Sequence, residues 1–288
     1  MITRRQLVAL AAAAAFAGPA AAARAESKLK AIHKRIGGRL GVHVLDSQSG
    51  KRIGYDDHSR YAMASTFKML LAAAILWQVD RGAFPLTYAL PIARQDLLPT
   101  SPMVEAALAA GEEAMTVKDL CAAIVTRSDN AAANILLKSM GGPETLTQFM
   151  RSIGDEVTRL DRLEPDLNSN VPGDPRDTTT PRAMVDSMLR IFTQDVISLP
   201  SRAILIDWMN AANTGRDRLR AGLPRGWQVG DKTGTGPNGA VNDVAIAYPL
   251  ERRPILIAVF MSESKLPLED LVAAQAEIGR LVAQEKWP

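Results

Sequence analysis

The order of strand-like and helix-like segments is the strongest constraint on how this chain can fold. Apolar runs typical of strands occur near the N-terminus at 40–45 and 51–55, and again within the block 227–261. Between about 66 and 207, helical periodicity dominates instead. Strands from opposite ends of a chain enter one sheet only if the two ends meet. We therefore predict an α+β fold, in which both termini complete an antiparallel sheet with flanking helices and a helical lobe is inserted between them.

The predicted sheet contains two hairpins and lies beside two helices. The first hairpin turns at 46–50, where Asp, Ser, Gln, Ser and Gly follow one another, and the second joins 244–248 to 255–259. Helical spacing predicts a short basic helix at 27–36 and a closing helix at 268–284.

These segments predict one folded unit with two lobes, preceded by a leader. We assign 1–25 to the leader and 26–288 to the folded domain. Within the domain we expect an α/β lobe formed by 26–62 and 208–288, and a helical lobe formed by 63–207. The cleft between the lobes is the expected functional site.

The first residues have the pattern of an export signal. The segment 3–7 contains Arg4 and Arg5 and precedes an alanine-rich apolar run that ends in Ala-Arg-Ala at 23–25. This pattern predicts a twin-arginine-type signal that is cleaved after residue 25, although two adjacent arginines also suit an ordinary Sec signal. The apolar run is too short for a membrane span, so we expect 26–288 to be exported to the periplasm without a membrane anchor.

The charge of the mature chain argues against a nucleic-acid partner. The whole chain has 34 basic and 31 acidic residues, and the leader contains Arg4, Arg5 and Arg24 but no acid. The mature chain therefore has 34 minus 3, or 31, basic residues against 31 acidic ones. Aromatic residues make up only 5% of the chain and are not interleaved with a basic tract, so we expect no nucleic-acid partner.

The cysteine and histidine residues give no support for a metal or cofactor. Cys121 is the only cysteine, so no intramolecular disulfide can form, and its apolar neighbourhood at 120–125 predicts a buried side chain. His33, His43 and His58 lack the close pairing of a zinc site. We expect no metal and no cofactor.

A serine and a lysine at helical spacing form the first candidate reactive group. Ser65 stands at the start of a predicted helix, and Lys68 follows three residues later, over the same helix face. The helix is apolar on nearly every side through 67–79, and Lys68 is the only charged residue between Ser65 and Asp80. A lysine is rarely buried without a partner, because burial removes the water around its charge. This pattern predicts that the amine activates the hydroxyl as a nucleophile.

Two further motifs follow in a fixed order along the chain. Ser128 and Asn130 belong to an S-D-N sequence, and Lys232 and Thr233 begin a K-T-G sequence. By average residue usage, an S-x-x-K match arises roughly once by chance in a chain of this length, and each of the other two motifs in roughly a few per cent of such chains. Their ordered occurrence together is hard to attribute to chance.

With a fourth motif, the sequence resembles a known family. An E-x-x-L-N sequence begins at Glu164 and ends at Asn168, and the residues Arg162 and Asp177 flank it. Together the motifs resemble those of the penicillin-recognising serine enzymes, and within them the class A β-lactamases. The resemblance extends from about Lys28 to the C-terminus and implies a monomer that hydrolyses small-molecule β-lactams, giving antibiotic resistance.

The resemblance implies a role for each motif residue in acylation. Ser65 would attack the lactam carbonyl, and its proton would pass either to Lys68 or to Glu164 through a water molecule. The backbone N–H groups of Ser65 and Thr235 would form the oxyanion hole. Ser128 would pass a proton to the leaving lactam nitrogen.

The resemblance also implies the substrate-binding residues. Asn130 would hydrogen-bond the acylamide side chain, and Lys232, Thr233 and Thr235 would bind the ring carboxylate. Many relatives add an arginine on the strand after K-T-G, but here Val241 stands at that position.

A neighbouring basic segment offers a replacement for that arginine. We expect Arg218 to bind the carboxylate, with Arg220 as the less favoured candidate and a solvated basic segment as the remaining alternative. Thr235 together with an arginine at position 218 is similar to broad-spectrum members of the family, so we also consider carbapenems as substrates. Thr100 stands where an aromatic gate residue is common, which predicts a more open entrance.

Deacylation separates the competing functions. Penicillin-binding carboxypeptidases share the first three motifs, but they lack the element in which Glu164 and Asn168 would orient and deprotonate a water molecule. The free-energy barrier to hydrolysis is about 9 to 10 kcal/mol higher for an acyl-enzyme that lasts hours than for one that lasts milliseconds. The sequence therefore predicts a β-lactamase, in preference to a carboxypeptidase, a membrane-anchored receptor domain or an inactive binding protein.

Overall fold

The computed structural model describes residues 18–287 and the side chains of residues 24–287. The first seventeen residues, which include Arg4 and Arg5 of the predicted export signal, lie outside the described residues. The helices are α1 Gly18–Ile36, α2 Phe67–Asp80, α3 Pro102–Ala109, α4 Val117–Thr126, α5 Asn130–Met140, α6 Pro143–Ser152, α7 Pro181–Thr193, α8 Leu199–Ala211, α9 Leu219–Gly222 and α10 Leu268–Gln284. The strands are β1 Arg39–Asp46, β2 Arg52–Tyr55, β3 Tyr61–Ala62, β4 Ala89–Pro91, β5 Ala114–Thr116, β6 Thr178–Thr179, β7 Gln228–Gly236, β8 Ala240–Tyr248 and β9 Ile255–Ser262.

The main sheet joins the two ends of the chain. Its five strands lie in the order β2-β1-β9-β8-β7, and every neighbouring pair is antiparallel. The N-terminal strand β1 pairs with the C-terminal strand β9, with Val42 opposite Val259. Both predicted hairpins are present, and the predicted α+β fold with an antiparallel sheet from both termini is confirmed.

The central strand β9 is apolar from Ile255 to Met261 because both faces of the sheet are covered. Leu256, Ala258 and Phe260 contribute to a core shared with the helical part of the chain. The alternate residues Ile257 and Val259 contribute to a second core, which α1 and α10 cover. Because successive side chains of a strand point to opposite faces, a sheet buried on both sides gives a continuous apolar run.

The apolar helix α2 lies at the centre of the helical part. Its residues from Phe67 to Leu76 are all buried, and it contacts α4, α5, α6 and α8. The prediction of a buried helix after Ser65 is therefore confirmed. Cys121 on α4 is buried in the same core, and burial raises the pKa of its thiol above the ordinary range.

The structure differs from the predicted elements in two places. The first helix begins at Gly18 and not at residue 27, and its buried stripe already includes Ala25 before Leu29, Ile32 and Ile36. Two small sheets were not predicted, β3 with β6 and β4 with β5, and β4, β5 and β6 lie within the stretch predicted to be helical. Their strands have only two or three residues, too few to give a period in the sequence. Within residues 18–287, every helix is too short or too polar to cross a membrane.

A glycine in β1 gives a test of the packing between the sheet and the helical part. A Cβ atom on Gly41 would lie 2.5 Å from the Tyr61 ring and 2.8 Å from Pro181, whereas one on Gly226 would meet no atom within 4 Å. We expect Gly41→Ala to lower the free energy of unfolding by about 1–3 kcal/mol, because the core has no room for the methyl group. Urea unfolding measures the change, with Gly226→Ala as the matched control. Equal stability of the two variants would contradict this packing.

Candidate active site

The nucleophile candidate lies in a short turn that leads into α2. Ser65 is the middle residue of the 3-10 turn Ala64–Thr66, which comes directly before α2, whereas the sequence predicted Ser65 at the start of the helix itself. Ala64 has a positive φ of 43°. A Cβ atom on Gly234 of the K-T-G motif would lie 2.8 Å from the Met63 carbonyl oxygen and 3.1 Å from the Ser65 nitrogen. Glycine is therefore required for β7 to lie against the Ser65 turn.

A buried asparagine fixes the same turn from the neighbouring strand. Asn242 on β8 donates from Nδ2 to the carbonyl oxygens of Ala62 at 2.9 Å and Met63 at 3.0 Å. Its Oδ1 accepts a hydrogen bond from the Met261 N–H at 3.3 Å. The sequence reasoning did not identify Asn242, although a polar residue within an apolar strand is a signal that could have found it.

Lys68 lies at the centre of the candidate site. Its side chain is fully buried, and Nζ donates to Ser65 Oγ at 3.0 Å, to the Ser128 carbonyl oxygen at 2.8 Å and to Asn130 Oδ1 at 2.5 Å. Glu164 Oε1 lies 3.0 Å from the same Nζ. Burial lowers the pKa of Lys68, and the charge of Glu164 opposes that shift. The arrangement gives one amine direct contact with a hydroxyl and a carboxylate.

Ser128 lies between two buried lysines. Lys232 Nζ donates to Ser128 Oγ at 3.1 Å, and Lys68 Nζ lies 3.5 Å from the same oxygen. Ser128 has a φ of 58°, in the left-handed region that is uncommon for a residue with a side chain. The hydroxyl of Ser128 is thus held where either ammonium group can supply a proton.

The aspartate between Ser128 and Asn130 holds the motif in place. Asp129 caps α5 by accepting from the Ala132 N–H at 2.9 Å, and its other oxygen accepts from the N–H groups of Met103 at 2.8 Å and Val104 at 3.1 Å. The sequence reasoning gave Asp129 no role. An aspartate before a helical pattern is a common N-terminal cap, and this is the signal that could have found it.

Lys232 lies on β7, the edge strand of the main sheet, and its side chain is fully buried. Its Nζ donates to Ser128 Oγ and to the Thr233 carbonyl oxygen at 2.9 Å. Burial lowers the pKa of Lys232 to about 7, and the positive charge of Lys68 adds to that effect. The Thr233 hydroxyl donates to Thr214 Oγ1 at 2.7 Å.

The side chain of Glu164 is buried and held on two sides. Its Oε1 faces Lys68, and its Oε2 accepts from Asn168 Nδ2 at 2.5 Å. Asn134 on α5 fixes the backbone of Glu164, since Asn134 Nδ2 donates to the Glu164 carbonyl oxygen and Oδ1 accepts from the Glu164 N–H, both at 2.9 Å. The sequence reasoning missed Asn134, which lies one helical turn after Asn130, where a residue on the same helix face is expected.

The loop that carries Glu164 is closed by an ion pair at its base. Arg162 Nε lies 2.6 Å from Asp177 Oδ2, and Asp177 Oδ1 accepts from the N–H groups of Asp161 and Arg162. Arg162 Nη2 also donates to Ser169 Oγ at 3.0 Å. The structure thus brings together the two residues predicted to flank the loop.

Arg218 lies beside the strand that carries the K-T-G motif. It is buried, and Nη1 donates to the carbonyl oxygens of Gly234 at 3.1 Å and Asn242 at 2.8 Å. Its Nη2 donates to Thr235 Oγ1 at 2.7 Å. Thr235 in turn pairs across the sheet with Val241, the position where an arginine is common in relatives.

Arg220 has different neighbours. It pairs with Asp231, and its guanidinium donates to the backbone carbonyl oxygens of Met209 and Asn210, both at 3.2 Å. The structure therefore places Arg218 next to Thr235 and directs Arg220 to α8.

An open cavity of about 670 Å³ adjoins these groups. Pro165 and Asn168 line it from the loop, and Thr235, Gly236 and Pro237 line it from the end of β7. The cavity gives a substrate side chain room between the loop and the edge strand.

Comparisons with known proteins identify the family of this chain. The model of the β-lactamase enzyme family matches residues 24–285. The β-lactamase L2 of Stenotrophomonas maltophilia is 43% identical over 93% of this chain and 88% of that protein. The carbapenem-hydrolyzing β-lactamase KPC of Klebsiella oxytoca is 43% identical over 86% of this chain and 83% of that protein.

Solved structures give the same result. The class A β-lactamase of the last common ancestor of Gram-negative bacteria is 51% identical, with a TM-score of 0.87 over 90% of this chain and 97% of that one. A β-lactamase from Xanthomonas campestris pv. campestris is 41% identical, with a TM-score of 0.88 over 91% of this chain and 97% of that one. This chain therefore belongs to the class A serine β-lactamases, enzymes that hydrolyse the amide bond of β-lactams.

Proposed function

We propose that Ser65 forms an acyl-enzyme with penicillins and cephalosporins and that Glu164 activates the water that hydrolyses it. The observation that carries this proposal is the position of Lys68 Nζ, which lies 3.0 Å from both Ser65 Oγ and Glu164 Oε1. One buried amine thus connects the nucleophile to the general base. This position of the Glu164 carboxylate supports a hydrolase that deacylates over a penicillin-binding carboxypeptidase.

In acylation, Ser65 Oγ forms a bond to the lactam carbonyl carbon and the bond from that carbon to nitrogen breaks. The hydroxyl proton passes to Lys68 or, through a water molecule, to Glu164. Direct contact between Lys68 and Ser65 supports the first route, as does the lowered pKa of Lys68, which favours the neutral amine. Ser128 then donates its proton to the leaving nitrogen, and Lys68 or Lys232 replaces it.

In deacylation, Glu164 removes a proton from a water molecule as the water oxygen attacks the acyl carbon. The bond from that carbon to Ser65 Oγ breaks, Oγ takes a proton from Lys68, and the proton held by Glu164 replaces it on Lys68. Asn168 supports this step because its Nδ2 holds Glu164 Oε2 and its buried Oδ1 has no hydrogen-bond partner within the described part of the chain. That oxygen can accept a hydrogen bond from the attacking water.

The oxyanion hole is assigned to the backbone N–H groups of Ser65 and Thr235. The close approach of Gly234 to the Ser65 nitrogen supports this assignment, since it brings the following residue of β7 alongside the nucleophile. Two N–H donors from different elements stabilise charge on the carbonyl oxygen as it develops.

A second group of side chains would bind the substrate carboxylate. Lys232, Thr233, Thr235 and Arg218 form this group, and Asn130 would hydrogen-bond the acylamide. Within residues 24–287, Arg218 makes no ion pair, and the hydrogen bonds described for it end on uncharged oxygens. Its positive charge is therefore available to an anionic substrate.

Carbapenems are a further substrate class to test. A relative that is 43% identical is named for carbapenem hydrolysis, and the pairing of Arg218 with Thr235 supports a broad range here. Turnover of meropenem beyond one equivalent per enzyme would support carbapenems as substrates, and acylation without turnover would contradict this proposal.

We also propose that the protein acts as a monomer in the periplasm after removal of its leader. The arginine pair and the alanine-rich run of the first 25 residues support export, and the family resemblance supports a monomer. Fusion of the leader to a reporter that is exported only when folded separates the twin-arginine route from the Sec route.

The role of Glu164 is tested by Glu164→Ala. We expect this variant to acylate at Ser65 but to lose at least about a thousandfold in turnover, because the water has no base. A pre-steady-state reaction with a chromogenic cephalosporin measures one product equivalent followed by arrest, and mass spectrometry locates the acyl group. The wild-type enzyme should continue far beyond one equivalent. Sustained turnover by the variant would contradict the assignment.

The role of Arg218 is tested by Arg218→Ala. We expect the KM for penicillins to rise about tenfold or more, because the carboxylate loses a charge-assisted hydrogen bond. Arg216→Ala is the matched control, since Arg216 belongs to the same basic segment but is exposed. Similar kinetics for the two variants would show that Arg218 does not bind the substrate carboxylate.

The lowered pKa of Lys232 predicts the alkaline side of the pH profile. Binding of the carboxylate needs protonated Lys232, and burial lowers its pKa to about 7. The value of kcat/KM should therefore fall at a pH well below the ordinary lysine pKa of about 10.4. The alkaline limb of the kcat profile should lie at higher pH than that of kcat/KM, because a bound substrate carboxylate stabilises the positive charge of Lys232. Identical alkaline limbs near pH 10 would contradict this account.

A further inference from the structure

Two fully buried aspartates lie beneath the proposed carboxylate-binding group. Asp231 is on β7 and Asp243 is on β8, and neither is exposed to solvent. The register pairs Asp243 with Thr233, two residues after Asp231. Residues two apart on a strand share one face of the sheet, so the two aspartates are diagonal neighbours on the same face.

Each aspartate has one oxygen with a donor and one without. Asp231 Oδ1 accepts from the Arg220 guanidinium, and Asp243 Oδ2 accepts from the Leu219 N–H at 3.1 Å. Asp231 Oδ2 and Asp243 Oδ1 are buried and have no hydrogen-bond donor among residues 24–287. A Cβ atom on Gly215 would lie 1.5 Å from Asp231 Oδ2, so the backbone closes directly over this oxygen. Two ionised carboxylates side by side would leave both oxygens without compensation.

Nearby cations stabilise negative charge on both aspartates. Arg220, Lys232 and Arg218 act on Asp231, and Arg218 and Arg220 act on Asp243 together with the N–H of Leu219. Burial nevertheless raises the pKa of both aspartates, and the charge of Asp231 raises the pKa of Asp243 further. The neighbouring cations oppose these shifts without cancelling them.

We propose that Asp231 and Asp243 hold one proton between them in the folded enzyme, and that it lies on Asp243 Oδ1 and is donated to Asp231 Oδ2. The proton is taken from solvent on folding, and the pair carries one negative charge. Both oxygens that lack a donor are then satisfied by one hydrogen bond.

The shared proton has a consequence for the substrate site, and this consequence rests on the proposed function. With one negative charge against three cations, Arg218 and Lys232 keep an excess of positive charge for the substrate carboxylate. A doubly ionised pair would neutralise more of that charge. Asp231 and Asp243 are thus positioning residues, which act on the substrate through Lys232 and Arg218.

Infrared spectroscopy tests the proton itself. A protonated carboxyl absorbs at a higher frequency than a carboxylate, and ¹³C labelling of aspartate carboxyls identifies the band as one from aspartate without any substitution. We expect this band in the wild-type enzyme at neutral pH and its loss in Asp243→Asn. Asparagine at this position can accept from Leu219 N–H and donate from Nδ2 to Asp231 Oδ2. A wild-type spectrum without a protonated aspartate band would overturn the proposal.

The pH dependence of stability gives a second readout that needs no activity. The folded pair keeps a proton that an unfolded aspartate, with a pKa of about 3.9, releases. Since the folded state then binds more protons, wild-type stability should fall relative to Asp243→Asn as pH rises from about 4 towards the folded pKa. A difference that stays constant above about pH 5 would mean that both carboxylates are ionised.

Kinetics test the link to Lys232. The alkaline limb of kcat/KM should keep its position in Asp243→Asn, because the single charge of the pair is retained. It should move to lower pH in the double variant Asp231→Asn with Asp243→Asn, because loss of the last negative charge destabilises protonated Lys232. A shift already present in Asp243→Asn would contradict a shared proton. Failure of the proposed carboxylate site would instead appear as an unchanged limb in the double variant, with the infrared band still present in the wild type.

Discussion

A lysine ammonium that is fully removed from water imposes the arrangement of the active site. Lys68 is buried within an apolar helix, and its charge must be met by oxygens from elsewhere in the chain. Ser65 supplies one oxygen from the turn just before the helix, Ser128 and Asn130 supply two from the S-D-N segment, and Glu164 supplies one from its loop. Because one amine contacts all of these segments, their assembly around Lys68 is also the assembly of the proposed catalytic group.

The sheet brings the second half of the site to the first. Pairing of β1 with β9 joins the two ends of the chain, and β7 then becomes the edge strand that faces the helical part. Gly234 and Asn242 lock this edge against the turn of Ser65 through close approach and hydrogen bonds. Lys232 is thereby buried near Lys68, and its burial, together with the positive charge of Lys68, explains why its pKa is low.

The predictions from sequence were correct where burial gives a strong pattern of apolar residues. Continuous apolar strands at both ends and a buried helix after Ser65 were predicted correctly, since burial on all sides leaves a strong pattern. The supporting residues Asp129, Asn134 and Asn242 were not assigned, because their hydrogen bonds end on backbone atoms whose positions depend on the whole fold. The short strands β3 to β6 were missed because two or three residues give no period.

The sequence by itself determined the family, the α+β fold and the set of motif residues, because the spacing of reactive side chains and the pattern of apolar residues are local properties of the chain. It left Arg218 and Arg220 as alternatives. Tertiary structure placed Arg218 beside Thr235 and Arg220 beside Asp231, and it buried Asp231 next to Asp243. These contacts could not be predicted from the sequence. The direction of each side chain depends on the strand register, and its burial and the charges beside it depend on which segments pack around it.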